Sequence, residues 1–164
     1  MKKQEIIKIF KEGHEEFKKI ISLLSYEQIE SFPAVGVWSV RNVIAHISAW
    51  NWEQVEEIDR TLVGNSTWNR KTSVETSNTD RFNKEAVEKR KDWSIKKLMS
   101  EWENSFTFLL KKIENLRDKE FMCDGMQNIF KYELEGGSDE MRHAKEIEKR
   151  FNLHTRSKIG TGQP

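Results

Sequence analysis

The chain has 164 residues, which suits one domain with its own core, and its formal net charge of +1 gives no reason to expect a nucleic-acid partner. A single cysteine, Cys123, excludes an internal disulfide framework and a cysteine-rich zinc site, and we expect it to be a small buried or half-buried residue. No window is apolar enough to cross a membrane, and the basic N-terminus lacks the apolar run of a signal peptide, so a cytoplasmic protein is expected.

The first predicted helix covers about residues 3–24, because Ile and Phe recur there at helical spacing with Lys and Glu on the opposite side. His14 falls near this apolar stripe. A connector follows at residues 25–36 and has room for one helical turn at about 26–31. Since the chain has two prolines and few runs of alternating apolar residues, we expect helices throughout.

The second predicted helix, at about residues 39–63, carries a histidine on its apolar face. Ser39 can begin this helix as an N-cap, because its hydroxyl can accept a hydrogen bond from a backbone N–H of the first turn. His46 lies three residues after Val43 and four before Trp50, so it shares their face. A polar ring at such a position needs a partner. That partner is a backbone carbonyl or a Glu in an ordinary core, or else a metal ion.

A loop and a broken third helical region come next. Residues 64–79 are rich in Gly, Ser, Thr and Asn and predict a loop, in which Trp68 either packs as a plug or lines a pocket. A polar helical piece is predicted at about residues 80–90. After Ser94, another N-cap candidate, an apolar and aromatic helical piece extends over about residues 95–116.

The end of the chain predicts one more helix and a tail. Residues 126–134 form either a short helix or an irregular segment, and Ser138 can cap a final helix at about 139–151. Residues 152–164 are polar and predict a frayed C-terminal tail. The predicted fold is therefore a single all-α domain over residues 1–151, a four-helix bundle with long connectors after helices one and two.

Three residues of these helices could share one metal ion. Asp139 and His143 are four residues apart in the final helix, which points both side chains to the same side, and His46 from the second helix would complete a set of three. Three protein ligands leave a position open for water or substrate, as in catalytic metal sites. The residues alone leave the alternatives open. Asp139 suits the first turn of any helix, and either histidine can be satisfied by a hydrogen bond.

The same residues carry a family likeness that covers about residues 4–151. The block WSVRNVIAHISAW around His46 resembles the second-helix signature of the DinB-like superfamily, and DEMRHAKEIEKR near the end resembles its H-x-x-x-H motif. The segment SIKKLMSEWENSFTFLLKKIENL lies where that family has its third helix. Loop and linker lengths are similar to those of the branch that contains the ClbS and DfsB proteins. The resemblance implies a four-helix bundle of the DinB-like type.

The resemblance also implies a divalent metal ion, zinc or nickel, near one end of the bundle. His46 matches the ligand of the second helix, and His143 matches the second histidine of the final pair. Asp139, however, stands where the first histidine of that pair is expected. Because aspartate can bind zinc, nickel or manganese, the site either still binds a metal ion, with a stronger preference for hard ions, or has been lost.

A metal-dependent enzyme is the function that the resemblance implies, either a thiol-dependent S-transferase or a hydrolase that acts on a small molecule. The metal would activate a thiol or a water molecule as the nucleophile, and the thiol would be an exogenous co-substrate of low molecular weight. Trp50 and Trp68 are expected to line the substrate pocket. The alternative is a metal-free small-molecule-binding or self-protection protein of the ClbS/DfsB type that uses the same cavity. The resemblance is also compatible with a homodimer.

Overall fold

Helices make up most of the protein. The computed structural model describes residues 2–68 and 76–153. Within those residues the elements are, in chain order, α1 (Lys3–Ser22), α2 (Tyr26–Glu30), β1 (Pro33–Val35), β2 (Trp38–Ser39), α3 (Val40–Leu62), α4 (Thr76–Lys89), α5 (Ile95–Asn115), α6 (Asp118–Phe121), α7 (Asp124–Ile129), α8 (Lys131–Gly136) and α9 (Asp139–Arg150). The prediction of a predominantly helical fold is confirmed. In this described part, sheet structure is limited to one antiparallel hairpin, β1–β2, with strands of three and two residues.

Serine side chains form the N-caps of three of the long helices, as the sequence predicts. Ser39, Ser94 and Ser138 precede α3, α5 and α9, and each side chain accepts the backbone N–H three residues later, at 3.3, 3.1 and 3.2 Å respectively. Such a bond satisfies one of the backbone donors that the first turn of a helix leaves without a partner. Ser39 and Ser138 therefore set where α3 and α9, the two helices that carry the candidate ligands, begin.

The connectors differ from the prediction. The first connector holds α2, which begins at a capping box on Ser25, and also the hairpin β1–β2, whose strands are too short to show a period in the sequence. The predicted loop at 64–79 extends too far, because α4 already covers residues 76–79, and residues 69–75 of that prediction lie outside the described residues. The segment at 126–134 is covered by α7 and α8. These two helices meet at Phe130, where the backbone leaves the helical region with φ −101° and ψ 8°.

The long helices pack in two pairs. α1 lies along α9 and α3 lies along α5, while α1 also contacts α5 and α4 packs on α3. Their apolar faces form two buried clusters, one around Phe17, Trp102 and Ile147 and the other around Phe10 and Phe130. Among the described residues, no helix combines the length and the apolarity that a membrane span requires.

Candidate metal centre

The three predicted ligands come together between α3 and α9. His46, Asp139 and His143 each offer one ligand atom, and these atoms all lie within 4.8 Å of one another. His46 Nε2 is 2.8 Å from Asp139 Oδ2, and His143 Nε2 is 3.6 Å from the same oxygen. Because α9 begins at Asp139, directly after its Ser138 cap, the aspartate and the histidine one turn later face the same side. We call these three residues the candidate metal centre.

Asn83 on α4 determines which nitrogen of His46 faces the candidate metal centre. The indole N–H of Trp50, which can only donate, bonds Asn83 Oδ1 at 2.8 Å. His46 Nδ1 lies 3.0 Å from the same oxygen. Since an amide oxygen only accepts, His46 Nδ1 is the nitrogen that donates to Asn83, and Nε2 is left to face Asp139 Oδ2, where a proton or a metal ion must lie between the two atoms. Hydrogen bonds of this kind orient metal-binding histidines in proteins.

His143 is oriented in the same way by a different acceptor. Its Nδ1 lies 2.8 Å from a carboxylate oxygen of Glu146, so Nδ1 is the nitrogen that carries the hydrogen. The lone pair of the neutral ring is then on Nε2, which is buried and has no hydrogen-bond partner within the described ranges. A buried polar atom without a partner is costly. A cation bound between the three side chains would supply the missing partner, so the residues present fit a metal ion.

Asp139 presents one carboxylate oxygen to the two histidines. Arg142 Nη2 donates to Asp139 Oδ1 at 2.8 Å and leaves Oδ2 facing His46 and His143. Burial by itself would raise the pKa of Asp139, but His143 and His46 outweigh it and hold that pKa well below its ordinary value. Burial likewise opposes a charge on His143, yet Asp139 and Glu146 raise the pKa of its ring. A proton and a metal ion therefore compete for the same lone pair.

The donor set indicates the class of metal. Two imidazole nitrogens and one carboxylate oxygen are the protein ligands of many catalytic zinc sites, in which a further position stays open. Imidazole also suits nickel, while the carboxylate adds affinity for harder divalent ions. The candidate metal centre is therefore suited to zinc or nickel, with room for one more ligand.

A cavity of about 290 Å³ opens beside the candidate metal centre, close to the lower end of the range for small-molecule sites. It lies where the two apolar clusters meet, because Phe10 of one cluster and Ile47 of the other both line it. Trp50 and Trp68 also lie on its wall, with ring centroids 5.9 Å apart. Two of the candidate ligands, His46 and Asp139, complete this side of the wall.

Glu57 holds Trp68 against the cavity. This glutamate is fully buried, and its Oε1 accepts hydrogen bonds from Ser66 Oγ at 2.7 Å, from the backbone N–H of Thr67 at 2.6 Å and from that of Trp68 at 2.9 Å. Arg60 Nε donates to Glu57 Oε2 at 2.7 Å. Burial by itself raises the pKa of Glu57, but the bonds from Ser66, Arg60 and Thr67 outweigh burial and lower that pKa to about 2. The carboxylate is thus the anchor of the chain after α3.

Sequence reasoning missed Glu57, although a signal was present. Glu57 lies seven residues after Trp50, which is two helical turns, so both side chains belong to the same face of α3. A glutamate on a buried face needs donors. The Ser-Thr pair that follows the helix offers them. The loop at 64–68 therefore could have been predicted to fold back on α3.

His14 belongs to a second buried polar group that the sequence did not assign. Its Nδ1 lies 3.1 Å from Glu140 Oε1, its Nε2 lies 3.1 Å from Glu103 Oε2, and its ring stacks on Phe106 with centroids 3.6 Å apart. The indole of Trp102 donates to the same Glu140 oxygen. Burial opposes a charge on His14, but Glu140 and Glu103 raise its pKa overall. Because Glu140 follows directly after Asp139, this group ties the first turn of α9 to α1 and α5.

Two further sequence expectations concern residues away from the centre. Cys123 is exposed rather than buried, because it lies at the solvent-facing start of α7. It is not among the described residues that line the cavity. His154, which the sequence places in the polar tail, lies outside the described residues.

Comparison of this chain with family models, with curated proteins and with solved structures finds no match. The likeness to the DinB-like superfamily therefore stays a prediction from the motifs themselves. The case for a function rests on the side chains that the fold brings together around the cavity.

Proposed function

We propose that this protein is a metal-dependent enzyme of the DinB-like type, in which His46, Asp139 and His143 of a four-helix bundle hold a zinc or nickel ion. The observation that carries the proposal is the orientation of the two histidines. Each has its Nδ1 hydrogen committed to an outer acceptor, so both Nε2 lone pairs point toward one carboxylate oxygen beside a cavity. Metal sites need this combination of convergent donors and a free approach for substrate.

The chemistry proposed for the site is the transfer or hydrolysis of a group on a small molecule. A bound divalent metal lowers the pKa of a thiol or water and so supplies a nucleophile at neutral pH. The chain's own residues do the rest. Asp139 stays ionised, the hydrogen bond from His46 to Asn83 keeps that ring in place, and Trp50 and Trp68 give the cavity an apolar wall. Since Cys123 is not part of the described wall, the thiol of an S-transferase would come from a small co-substrate.

A second candidate is a metal-free binding or self-protection protein of the ClbS/DfsB type that uses the same cavity. The observation in its favour is the direct contact of 2.8 Å between His46 Nε2 and Asp139 Oδ2. A proton between these two atoms makes the contact a hydrogen bond that occupies the position of the metal. The two candidates differ in what sits between the three side chains.

Metal analysis of the purified protein distinguishes the two candidates. We expect about one equivalent of zinc or nickel per chain in the wild type, and strongly reduced metal in His46→Ala and Asp139→Asn, because each variant removes one of three ligands. Asp124→Asn is the matched control, since Asp124 is also the first residue of a helix but is exposed and belongs neither to the candidate metal centre nor to the described cavity wall. Wild-type protein that stays metal-free after incubation with zinc or nickel would contradict the metal-dependent proposal and favour the second candidate.

Cobalt substitution then tests which nucleophile the centre accepts. Cobalt(II) takes the same ligands as zinc and reports their number and type through its visible spectrum. For an S-transferase, we expect a small thiol to add a sulfur-to-cobalt charge-transfer band. If the spectrum is unchanged by thiols but changes with pH, the bound nucleophile is water and the hydrolase form of the proposal is supported.

A further inference from the structure

Glu133 on α8 is a buried carboxyl group that faces the cavity with one oxygen unused. The residue is 8% exposed and lines the cavity wall. Gln54 Nε2 donates to its Oε1 at 2.6 Å. Its Oε2 is buried and has no hydrogen-bond partner among the residues that the structure describes. A buried acceptor in that condition is costly unless something that enters the cavity bonds to it.

Glu133 also lacks a cation, unlike the other carboxylates on this wall. Asp139 pairs with Arg142 at 2.8 Å, and Glu140 pairs with His14 at 3.1 Å. No ion pair joins Glu133 to a Lys, Arg or His in the described ranges, and its only side-chain bond there is to the neutral amide of Gln54. Arg142, on the same wall, attracts Glu133 only from a distance and is itself paired with Asp139, so a proton or a ligand is the closer source of charge balance for Glu133.

The remaining wall suits an organic cation better than a second metal ion. Metal ions of the hard class require several oxygen ligands, whereas Glu133 is accompanied by the aromatic rings of Phe10, Trp50 and Trp68. The faces of such rings attract ammonium groups. An ammonium group also carries three N–H donors, so it can donate one hydrogen bond to Glu133 Oε2 and another to a second acceptor. Glu140 Oε2, on the same wall, is another buried oxygen without a partner in the described part of the chain.

We propose that the cavity binds a small apolar molecule with a primary amine, and that the carboxylate of Glu133 accepts its ammonium group while the aromatic wall holds its apolar part. The inference rests on the proposed function only in taking this cavity as the substrate site. It deepens that function by naming the class of substrate or co-substrate that enters. The binding step itself needs no metal.

Calorimetry with two probes of equal size tests the inference on the 164-residue chain after treatment with a chelator. The probes are 2-phenylethylamine, which is a cation at neutral pH, and 2-phenylethanol, which is neutral. We expect the amine to bind at least about tenfold more tightly, because a charge-assisted hydrogen bond replaces a neutral one. Glu133→Gln should abolish this preference, whereas Glu135→Gln, on the exposed side of the same helix, should keep it. Circular dichroism checks that each variant folds.

Proton release gives a second readout that needs only the wild-type protein. Burial is the main cause that raises the pKa of Glu133 to about 7, with Gln54 from α3 and Arg142 from α9 opposing it and Asp139 adding to it. An ammonium group that binds there drives the carboxyl to ionise. Near neutral pH, about half a proton should leave per amine bound, and none when the alcohol binds. Titrations in two buffers with different ionisation enthalpies measure this number.

The outcomes separate this inference from the metal proposal. Equal affinity for the two probes, no binding of the amine at millimolar concentration, or an amine preference that survives in Glu133→Gln would overturn the inference. Metal content is measured on the same preparations before the chelator is added. Glu133→Gln should retain its zinc, because this residue is not a ligand, so failure of amine binding and failure of metal binding appear in different measurements.

Discussion

Replacement of Glu57 by glutamine should destabilise the protein by about 3.5 kcal/mol at neutral pH. The magnitude follows from the fall of the carboxyl pKa from its ordinary 4.5 to about 2 in the folded protein. Each tenfold change in proton affinity is worth about 1.4 kcal/mol, and the total is a large fraction of the roughly 5–15 kcal/mol by which domains are stable. Glutamine keeps one acceptor oxygen, but its amide N–H₂ would face the donors of Arg60 and Thr67 that now bond Oε2.

Urea unfolding, followed by far-ultraviolet circular dichroism across pH, measures this effect. Because the pKa of Glu57 is lowered in the folded state, its contribution is complete above about pH 4.5 and is lost as the pH falls toward about 2. The difference between wild type and Glu57→Gln should therefore shrink with acidity. Glu56→Gln is the matched control, since Glu56 also contacts Arg60, at 3.4 Å, but is exposed. The control should change stability by less than about 0.5 kcal/mol.

Two results would refute the reasoning about Glu57. One is a cost of less than about 1 kcal/mol at neutral pH, which would mean that the bonds to the chain after α3 are replaced by water at little loss. The other is a cost that stays constant down to acidic pH, which would assign the loss to packing rather than to the ionised carboxylate.

Three further predictions concern the candidate metal centre and its support. Asn83→Ala should weaken zinc binding by about 10–100-fold in competition with a chelating dye, because it removes the acceptor that orients His46. Zinc affinity of the wild type should fall as the pH is lowered, by about tenfold per pH unit for each proton displaced. That fall should begin above the ordinary histidine pKa of 6.5, since the pKa of His143 is raised. Gly13→Ala should lower the free energy of unfolding, measured by thermal denaturation, by about 1–3 kcal/mol. The new methyl group would lie 1.7 Å from Ser138 Oγ, the cap of α9.

Each of these predictions has an outcome that opposes it. Asn104 is an exposed asparagine on α5, and its replacement by alanine should leave zinc affinity unchanged. If Asn83→Ala and Asn104→Ala lose zinc affinity equally, Asn83 has no special role in orienting His46. Zinc affinity that stays flat between neutral and mildly acidic pH would mean that no histidine proton is displaced. A gain in stability for Gly13→Ala, the result that helix propensity alone predicts at about 1 kcal/mol, would show that α1 and α9 are not held at the described distance.

Local features of the sequence were sufficient to predict where several helices begin. Ser39, Ser94 and Ser138 act on backbone groups three residues away, so the relevant contacts lie within one turn. The apolar face that carries His46 and the spacing of Asp139 and His143 are likewise properties of single helices. The fold class and the three candidate ligands could therefore be named before any tertiary contact was known, although the metal itself and the DinB-like bundle stay predictions.

Contacts between distant parts of the chain were decided by the tertiary structure alone. His46 and Asp139 are 93 residues apart in sequence, and His46 and Asn83 are 37 apart. No periodicity or capping rule acts over such separations, because these pairs meet only when α3, α4 and α9 pack through their apolar faces. The same holds for Glu133 and Gln54, separated by 79 residues. The sequence by itself determined which side chains each helix presents. Tertiary packing decided which of them share a cavity, since burial and charge pairing depend on neighbours that belong to other helices.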